Sequence, residues 1–261
     1  MKDFDKYKYY RESVQSAEND VEFFNTLYKT NFGQEAITLR EDFCGTFAIC
    51  CEWAKLSDNK KAVGVDLDQE PIDYGFEHNF SALTEAQKAN VNILQKNVLS
   101  PDLPPADIVA AQNFSYFLFK ERQQLKDYFT NAYKGLNADG LFLIDCFGGP
   151  AAQVENEEET QHEGFSYFWD QESFNPINNH ATFHIHFQID GQKKIENVFT
   201  YNWRMWSLAE LQDIMKEVGF KDVHVLWEAN DEDGDGNGEF YRSENGEDCE
   251  AWVAYVVGKK I

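Results

Sequence analysis

Basic residues are scarce in this chain of 261: Lys and Arg number 23 against 46 Asp and Glu, a formal charge of −23. A surface this acidic repels phosphate backbones over a Debye length of about 8–10 Å, which argues against electrostatic wrapping of nucleic acid. The strongest basic signals, Lys60-Lys61, Lys193-Lys194 and Lys259-Lys260, read as solvated edges. Long apolar runs are also missing. No stretch reaches the roughly 18 residues a membrane helix needs, and the opening MKDFDKYKYY has no apolar signal-peptide segment, so secretion and membrane insertion are disfavoured and a cytoplasmic location is expected. Cysteine is sparse and odd in number: Cys44, Cys50, Cys51, Cys146 and Cys249 read as reduced thiols, and no Cys/His spacing suggests structural zinc. With only 16 Gly and 6 Pro, yet 43% hydrophobic and 15% aromatic residues, the composition excludes a disordered acidic chain. It predicts one large domain, or one domain with an inserted subdomain.

The periodicity divides the chain. Ser16 offers a cap, and Val21, Phe24, Leu27 and Tyr28 recur at helical spacing, predicting an amphipathic helix to about Thr30. Strand and helix then alternate. Residues 37–43 read as a strand, 47–56 as a helix and 62–66 as a second strand; Pro71 suits the start of the next helix. Short apolar runs follow at 91–94, 107–111 and 141–146, the last two separated by a long helix carrying Leu125, Phe129, Ala132 and Leu136. Apolar strands separated by helices predict a parallel sheet covered on both faces.

After about residue 150 the period changes. Thr182 to Ile189 alternates, Asp190-Gly191 signals a two-residue turn, and residues 195–203 continue as a second extended run, predicting an antiparallel hairpin. Ser207-Leu-Ala-Glu210 is a capping box, Leu211, Ile214, Met215 and Val218 form a helical stripe, and Gly219 closes it. Strands at 223–227 and 251–257 complete the sheet. Two segments are unusually acidic, with seven acids in 152–172 and ten in 228–250, and both read mostly as loops. Within the second, Asp231, Asp233, Asp235 and Gly236 imitate the start of a calcium loop, but the twelfth position is Arg242 and the eighth is Gly238, so a calcium sensor is not expected.

Chemistry enters between the first strand and the first helix, at Arg40-Glu-Asp-Phe-Cys-Gly-Thr-Phe47, with Asp66 ending the second strand 21 residues after Gly45. Gly45 lets a ligand approach backbone at a helix N-terminus, and an acid ending the second strand accepts hydrogen bonds from a ribose diol. Together they point to a nucleoside-bearing cofactor. A dinucleotide fingerprint needs two further glycines, and Phe43 and Phe47 occupy those outer positions, which argues against NAD or FAD.

These residues resemble the class I S-adenosylmethionine-dependent methyltransferases, and within them a subgroup marked by Arg-Glu-Asp-Phe-Cys-Gly-Thr. The resemblance implies an α/β fold: a seven-stranded, Rossmann-like methyltransferase sheet with helices on both faces and an antiparallel hairpin inserted after strand five. It divides the chain into an N-terminal helical cover (1–35), a cofactor-binding core (36–150), an inserted lid or hairpin region (151–204) and the C-terminal completion of the same domain (205–261). The implied cofactor is S-adenosylmethionine, with S-adenosylhomocysteine as product. Its site falls on Glu41 near the amino-acid moiety, Phe43, Cys44, Gly45 and Thr46 in the turn, and Asp66 on the ribose. Leu67 would pack on the adenine, Asn97 and Val98 lie at its amine, and Asn113 and Phe114 follow strand four beneath the sulfonium.

The acceptor side is read from residues that carry two meanings. Tyr116 either aligns the acceptor or packs a strand end, and Asn113 either supports ligand or holds its loop. His184 and His186 share one strand face with Thr182 and Gln188, while Phe183, Ile185 and Phe187 share the other. If the polar face borders the pocket, one histidine is a candidate base; otherwise both are solvated. Trp203, Arg204 and Trp206 either wall an acceptor site or close the core, and Trp169, Tyr10, Arg11 and Gln15 are lid candidates. No metal is expected, since His-x-His shows no third ligand nearby. The expected activity is methyl transfer to an O or N atom of a small-molecule acceptor. The alternatives are an RNA or protein acceptor, and a non-catalytic cofactor-binding interaction protein. Nothing in the sequence addresses oligomeric state.

Overall fold

The computed structural model describes residues 4–231 and 236–261. Helices α1 (Lys6–Val14) and α2 (Ala17–Phe32) precede strand β1 (Thr38–Asp42), α3 (Ala48–Lys55) and β2 (Lys61–Asp66). Next come α4 (Gln69–His78), the single turn α5 (Glu85–Lys88), β3 (Val91–Gln95), β4 (Ala106–Ala111), α6 (Arg122–Lys134) and β5 (Leu136–Gly148). Four strands follow without an intervening helix: β6 (Asn156–His162), β7 (Phe165–Asn175), β8 (His180–Ile189) and β9 (Ile195–Arg204). The chain closes with α7 (Leu208–Val218), β10 (Lys221–Asn230), β11 (Gly236–Ser243) and β12 (Trp252–Lys260).

The main sheet has the order β11-β10-β12-β5-β4-β1-β2-β3. Its β1 to β5 half is parallel, while β12 runs antiparallel between β5 and β10. Strand order reverses at β1/β4, and in open α/β sheets a ligand crevice forms at such a switch point, outside the carboxyl ends of the strands. Alternating side chains feed two cores. Ile144, Phe142 and Val109 pack with α6 and α7, whereas Leu143, Ile108 and Leu39 pack with α2 and α3. The sheet has eight strands where seven were expected, because the chain after β10 returns as the hairpin strand β11.

The expected single hairpin is a four-stranded antiparallel sheet, β6-β7-β8-β9. The acid-rich segment read as loop forms β6 and most of β7, so its charges belong to a sheet. Acids have weak β-propensity, which hid β6, but an edge strand tolerates them because charge there blocks pairing with other chains. The calcium-loop resemblance rests on Asp233 and Asp235, which lie outside the described residues. Asp5 caps α1, a helix the apolar pattern did not reveal, by accepting from the Lys8 backbone N–H at 2.9 Å. That helix spans the molecule's two sheets. Its Tyr7 packs against Tyr74 of α4 with centroids 4.9 Å apart, and its Tyr9 meets Phe165 of β7 at 4.8 Å. No described helix is long and apolar enough to cross a membrane.

Beneath the crevice lies a buried ion pair. Arg40 and Asp42, two apart on β1, point to the same face with no exposed side-chain surface, joined by Nε to Oδ1 at 2.9 Å and Nη2 to Oδ2 at 3.1 Å. Tyr128 of α6 donates its hydroxyl to Asp42 at 3.1 Å. Gly135 is required there by space, since a Cβ at that position would sit 2.2 Å from Arg40 Nη1.

Candidate functional site

The turn from β1 to α3 is built from residues in left-handed conformations. Phe43, Gly45 and Phe47 have φ values of 61°, 50° and 45°. Left-handed backbone costs a side-chain-bearing residue about 1–2 kcal/mol, which glycine avoids. Burial offsets that cost at Phe47, which is fully enclosed and packs on Phe76 at 5.1 Å. Phe43 packs edge-on to Tyr128 at 5.5 Å. The turn thus keeps the path of a glycine-rich loop with two aromatic anchors. At Gly45 a Cβ would meet nothing within 4 Å, so this backbone faces open space.

Asp66 clamps the turn. Its Oδ2 accepts from the Gly45 N–H at 2.7 Å and its Oδ1 from the Asp68 N–H at 2.9 Å, while Leu67 beside it is 62% exposed. Thr46 accepts from Asn79 Nδ2 through its carbonyl at 2.8 Å. Cys44 contributes only backbone to the crevice: its thiol is buried, and burial holds it neutral, well above the usual thiol range. Asn97 is exposed and accepts from the Leu99 N–H at 2.8 Å. Val98 departs from expectation. It is buried in the α6-side core because an apolar side chain there gains more from the core than from an open crevice.

Glu41 is also placed differently. Its carboxyl turns into the β1/α3 interface, where Oε2 accepts from the Cys50 N–H at 3.2 Å and from Cys50 Sγ at 3.1 Å, leaving 3% of the residue exposed. Burial pushes its pKa up to about 8 from 4.5. Between those values the folded protein holds a proton that the unfolded chain has released. This contribution to stability is therefore complete below about pH 4.5 and is lost as pH rises through 8. Glu41→Gln should remove that dependence: between pH 5 and 8.5 the Tm of the parent should fall by several degrees more than that of the variant. Parallel declines in both proteins would exclude Glu41 as the source.

Asp145, which carried no assigned role in the sequence reading, organises the other side of the switch point. Asn113 and Phe114 take consecutive left-handed conformations after β4, and their N–H groups donate to Asp145 Oδ2 at 2.6 Å and Oδ1 at 2.9 Å. Burial pushes Asp145 up to about 7 despite those bonds. Neighbouring Gln112, 7% exposed, accepts from the Tyr255 hydroxyl at 3.2 Å, and its Nε2 has no hydrogen-bond partner among the described residues. The only sequence signal for Asp145 was an acid within the apolar run Leu141-Phe-Leu-Ile-Asp-Cys146.

A cavity of about 480 Å³ opens from Asn113 and Phe114 between the two sheets. Tyr10 of α1, Tyr167 and Trp169 of β7, and Tyr201 and Trp203 of β9 wall one side; Phe147, Trp227 and Trp252 belong to the other. Tyr201 and Trp203 stack at 4.4 Å. Tyr10, Trp169 and Trp203 therefore line one space, together with Asn113 and Phe114.

Besides the two histidines, five expected acceptor-side residues lie elsewhere. Tyr116 is fully buried, packed on Phe117 at 5.1 Å, and donates its hydroxyl to the Asp145 carbonyl at 2.7 Å. It is a packing residue. Tyr116→Phe should cost about 0.5–1.5 kcal/mol of stability and leave ligand affinity unchanged; altered turnover per folded molecule would restore it to the site. Arg204 lies over the Trp206 ring at 3.7 Å and donates to the Lys120 carbonyl at 3.0 Å and Glu210 Oε1 at 3.3 Å. Trp206 is 2% exposed and donates to the Phe119 carbonyl at 3.1 Å, so this pair closes the α7 side of the core. Arg11 and Gln15 border a separate cavity beside α3, with Arg11 donating to Asn79 at 3.0 Å.

The histidines alternate as expected, but their face points away from the cavity. Ile185 lines the cavity, and Phe183 packs on Phe147 at 5.8 Å, because the apolar face is the one that gains from burial. His184 sits between Thr200 at 2.9 Å and Glu172 at 3.2 Å. His186 does meet other potential metal ligands, Asp170 at 3.2 Å and Glu157 at 3.6 Å. Its Nδ1 accepts from the Asn197 N–H at 2.8 Å, which leaves the ring proton on Nε2, facing those carboxylates. Lys194 pairs with Glu157, so one of the two carboxylates in this hydrogen-bonded group already has a cationic partner.

No protein-family model matches this chain, and no curated protein matches its sequence. In three dimensions it is similar to an S-adenosylmethionine-dependent methyltransferase of Clostridium acetobutylicum ATCC 824, with TM-score 0.69, 13% identity and 97% of each chain covered. It is also similar to an amino pentose methyltransferase of Micromonospora echinaspora bound to S-adenosylmethionine, with TM-score 0.69, 12% identity, and 99% of this chain and 98% of the other covered. A third similar structure is the CcbJ methyltransferase of Streptomyces caelestis, with TM-score 0.68, 16% identity and coverages of 94% and 89%. The chain thus has the class I S-adenosylmethionine-dependent methyltransferase fold. The four-stranded second sheet lies within the extent of that match, which covers nearly the whole chain.

Proposed function

We propose that this protein transfers a methyl group from S-adenosylmethionine to an O or N atom of a small molecule, releasing S-adenosylhomocysteine. The observation that carries the reading is that two turns leave neighbouring ends of β1 and β4, where Asp42 pairs with Ala111: the open Gly45 turn clamped by Asp66, and the Asn113-Phe114 turn that lines the aromatic cavity. The first suits a nucleoside and the second a small acceptor.

The residues present fit the cofactor. Gly45 leaves room for close backbone approach, Asp66 retains lone pairs for a ribose diol, and exposed Leu67 and Asn97 border the adenine end. Glu41, Cys44, Thr46 and Phe43 shape that turn, while Asn113 and Phe114 line the start of the cavity. The cofactor supplies an electrophilic methyl group on a sulfonium. The chain's part is to hold an acceptor in line with that methyl and to exclude water, which accounts for much of the rate in reactions without a covalent intermediate. Tyr10, Trp169 and Trp203 do this from the lid side. A small acceptor is further supported by the cavity's volume of about 480 Å³ and its aromatic walls from two sheets, and the charge of −23 disfavours a polynucleotide.

Titration calorimetry with S-adenosylhomocysteine tests the first step. Saturable binding at one site is expected, and no binding of it or of S-adenosylmethionine sinks the reading. Binding of both without consumption of S-adenosylmethionine in the presence of pooled cellular small molecules would favour a non-catalytic cofactor-binding protein.

A further inference from the structure

We propose that the small molecule taken into the aromatic cavity is an organic amine, bound as its cation. The inference rests on the methyltransferase reading only for the transfer step; the choice of a cation comes from the wall itself.

Glu158 of β6 and Glu228 of β10 line the cavity from opposite sheets, and no Lys, Arg or His lines it among the described residues. Between the two carboxylates the wall is mostly aromatic. Trp169 lies 6.3 Å from Tyr201 and 6.4 Å from Trp203, and the Tyr201 and Trp203 rings are within 26° of parallel. Ring faces carry negative potential, so a cation resting against the faces that line the cavity is attracted, and more strongly where water is displaced. The other polar groups in the wall, the Tyr10 phenol and the Asn113, Gln171 and Asn230 amides among them, carry no charge to oppose those two carboxylates. An anionic acceptor would meet two carboxylates and no compensating base. A neutral alcohol would find neither the charge it needs for selection nor a basic side chain in the wall to remove its proton.

An amine resolves both difficulties. As an ammonium ion it is drawn in by the carboxylates and rings. It then loses one proton to bulk water at the open side of the cavity, where Glu158 is exposed. The freed nitrogen lone pair forms the N–CH₃ bond while the S–CH₃ bond breaks, its electrons staying on sulfur to give the neutral thioether. The product nitrogen carries the positive charge and remains compensated by the same wall.

The test compares choline with its uncharged carbon isostere, 3,3-dimethylbutan-1-ol, on the full chain with and without S-adenosylhomocysteine, read by tryptophan fluorescence and calorimetry. Choline should bind at least about tenfold more tightly than the alcohol. In the Glu158→Gln/Glu228→Gln protein that ratio should shrink to about threefold or less, with S-adenosylhomocysteine affinity unchanged. The glutamine at 228 can still accept the Gly238 N–H that Glu228 holds at 2.9 Å, so the β10/β11 turn is preserved. Equal or stronger binding of the alcohol, or no saturable binding of either probe, overturns the proposal. The outcomes separate cleanly: cation preference without S-adenosylhomocysteine binding removes the methyltransferase reading and keeps the cation site, and the reverse removes only the amine.

Discussion

Arg40→Met should destabilise the protein by about 3–5 kcal/mol, the largest single-residue loss expected outside the aromatic core. The substitution leaves the Asp42 carboxylate fully buried with one remaining donor, the Tyr128 hydroxyl at 3.1 Å. Water cannot reach it, and burial already pushes the Asp42 carboxyl upward even with Arg40 in place. The double substitution Arg40→Met/Asp42→Leu should recover most of the loss, because it removes both charges and fills the volume with apolar atoms. Denaturant unfolding of the parent, the single and the double variants checks this. A single variant within about 1 kcal/mol of the parent would mean that the pair is not buried as described. Since Asp42 ends β1 immediately before the Gly45 turn, loss of the pair should also raise the dissociation constant for S-adenosylhomocysteine.

Asp66→Ala should weaken S-adenosylhomocysteine binding by about 2–4 kcal/mol, roughly 30- to 1000-fold, through two linked losses. A ribose diol loses its charged acceptor, and the Gly45 N–H loses the partner that holds the turn at 2.7 Å. Asp66→Asn separates them: its carbonyl oxygen can still take the Gly45 N–H, so the turn persists while charge at the diol is lost, and a smaller decrease is expected. Calorimetry on protein verified as folded gives the answer. An affinity for the alanine variant within about threefold of the parent would place the nucleoside elsewhere.

Much of the parallel core was legible because its signals are local. The six-residue strands β2 and β4 are largely apolar runs, and the capping-box residues of α7, Ser207 and Glu210, lie within one turn of each other. Strand β6 was not legible, since Asn156-Glu-Glu-Glu-Thr-Gln-His162 has no alternation and pairs only because β7 lies beside it. Tyr116 shows a different limit. A tyrosine near the end of a strand has the same sequence signature whether its hydroxyl faces a ligand or, as here, the carbonyl of a residue 29 positions away. Arg204 and Trp206 were ambiguous for the same reason.

By itself the sequence determined the α/β alternation, the pairing of Gly45 with Asp66 across the first two strands, and the two-faced character of β8. Each of these depends on residue type at short or fixed spacing, and backbone geometry acts over that range. The tertiary structure alone decided which face of β8 turns inward, that Asp145 holds the Asn113-Phe114 turn, and that Glu158 of β6 and Glu228 of β10 line one aromatic cavity. Those outcomes come from competition for burial among segments as far apart as Tyr10 and Trp252, and no local pattern records the winner.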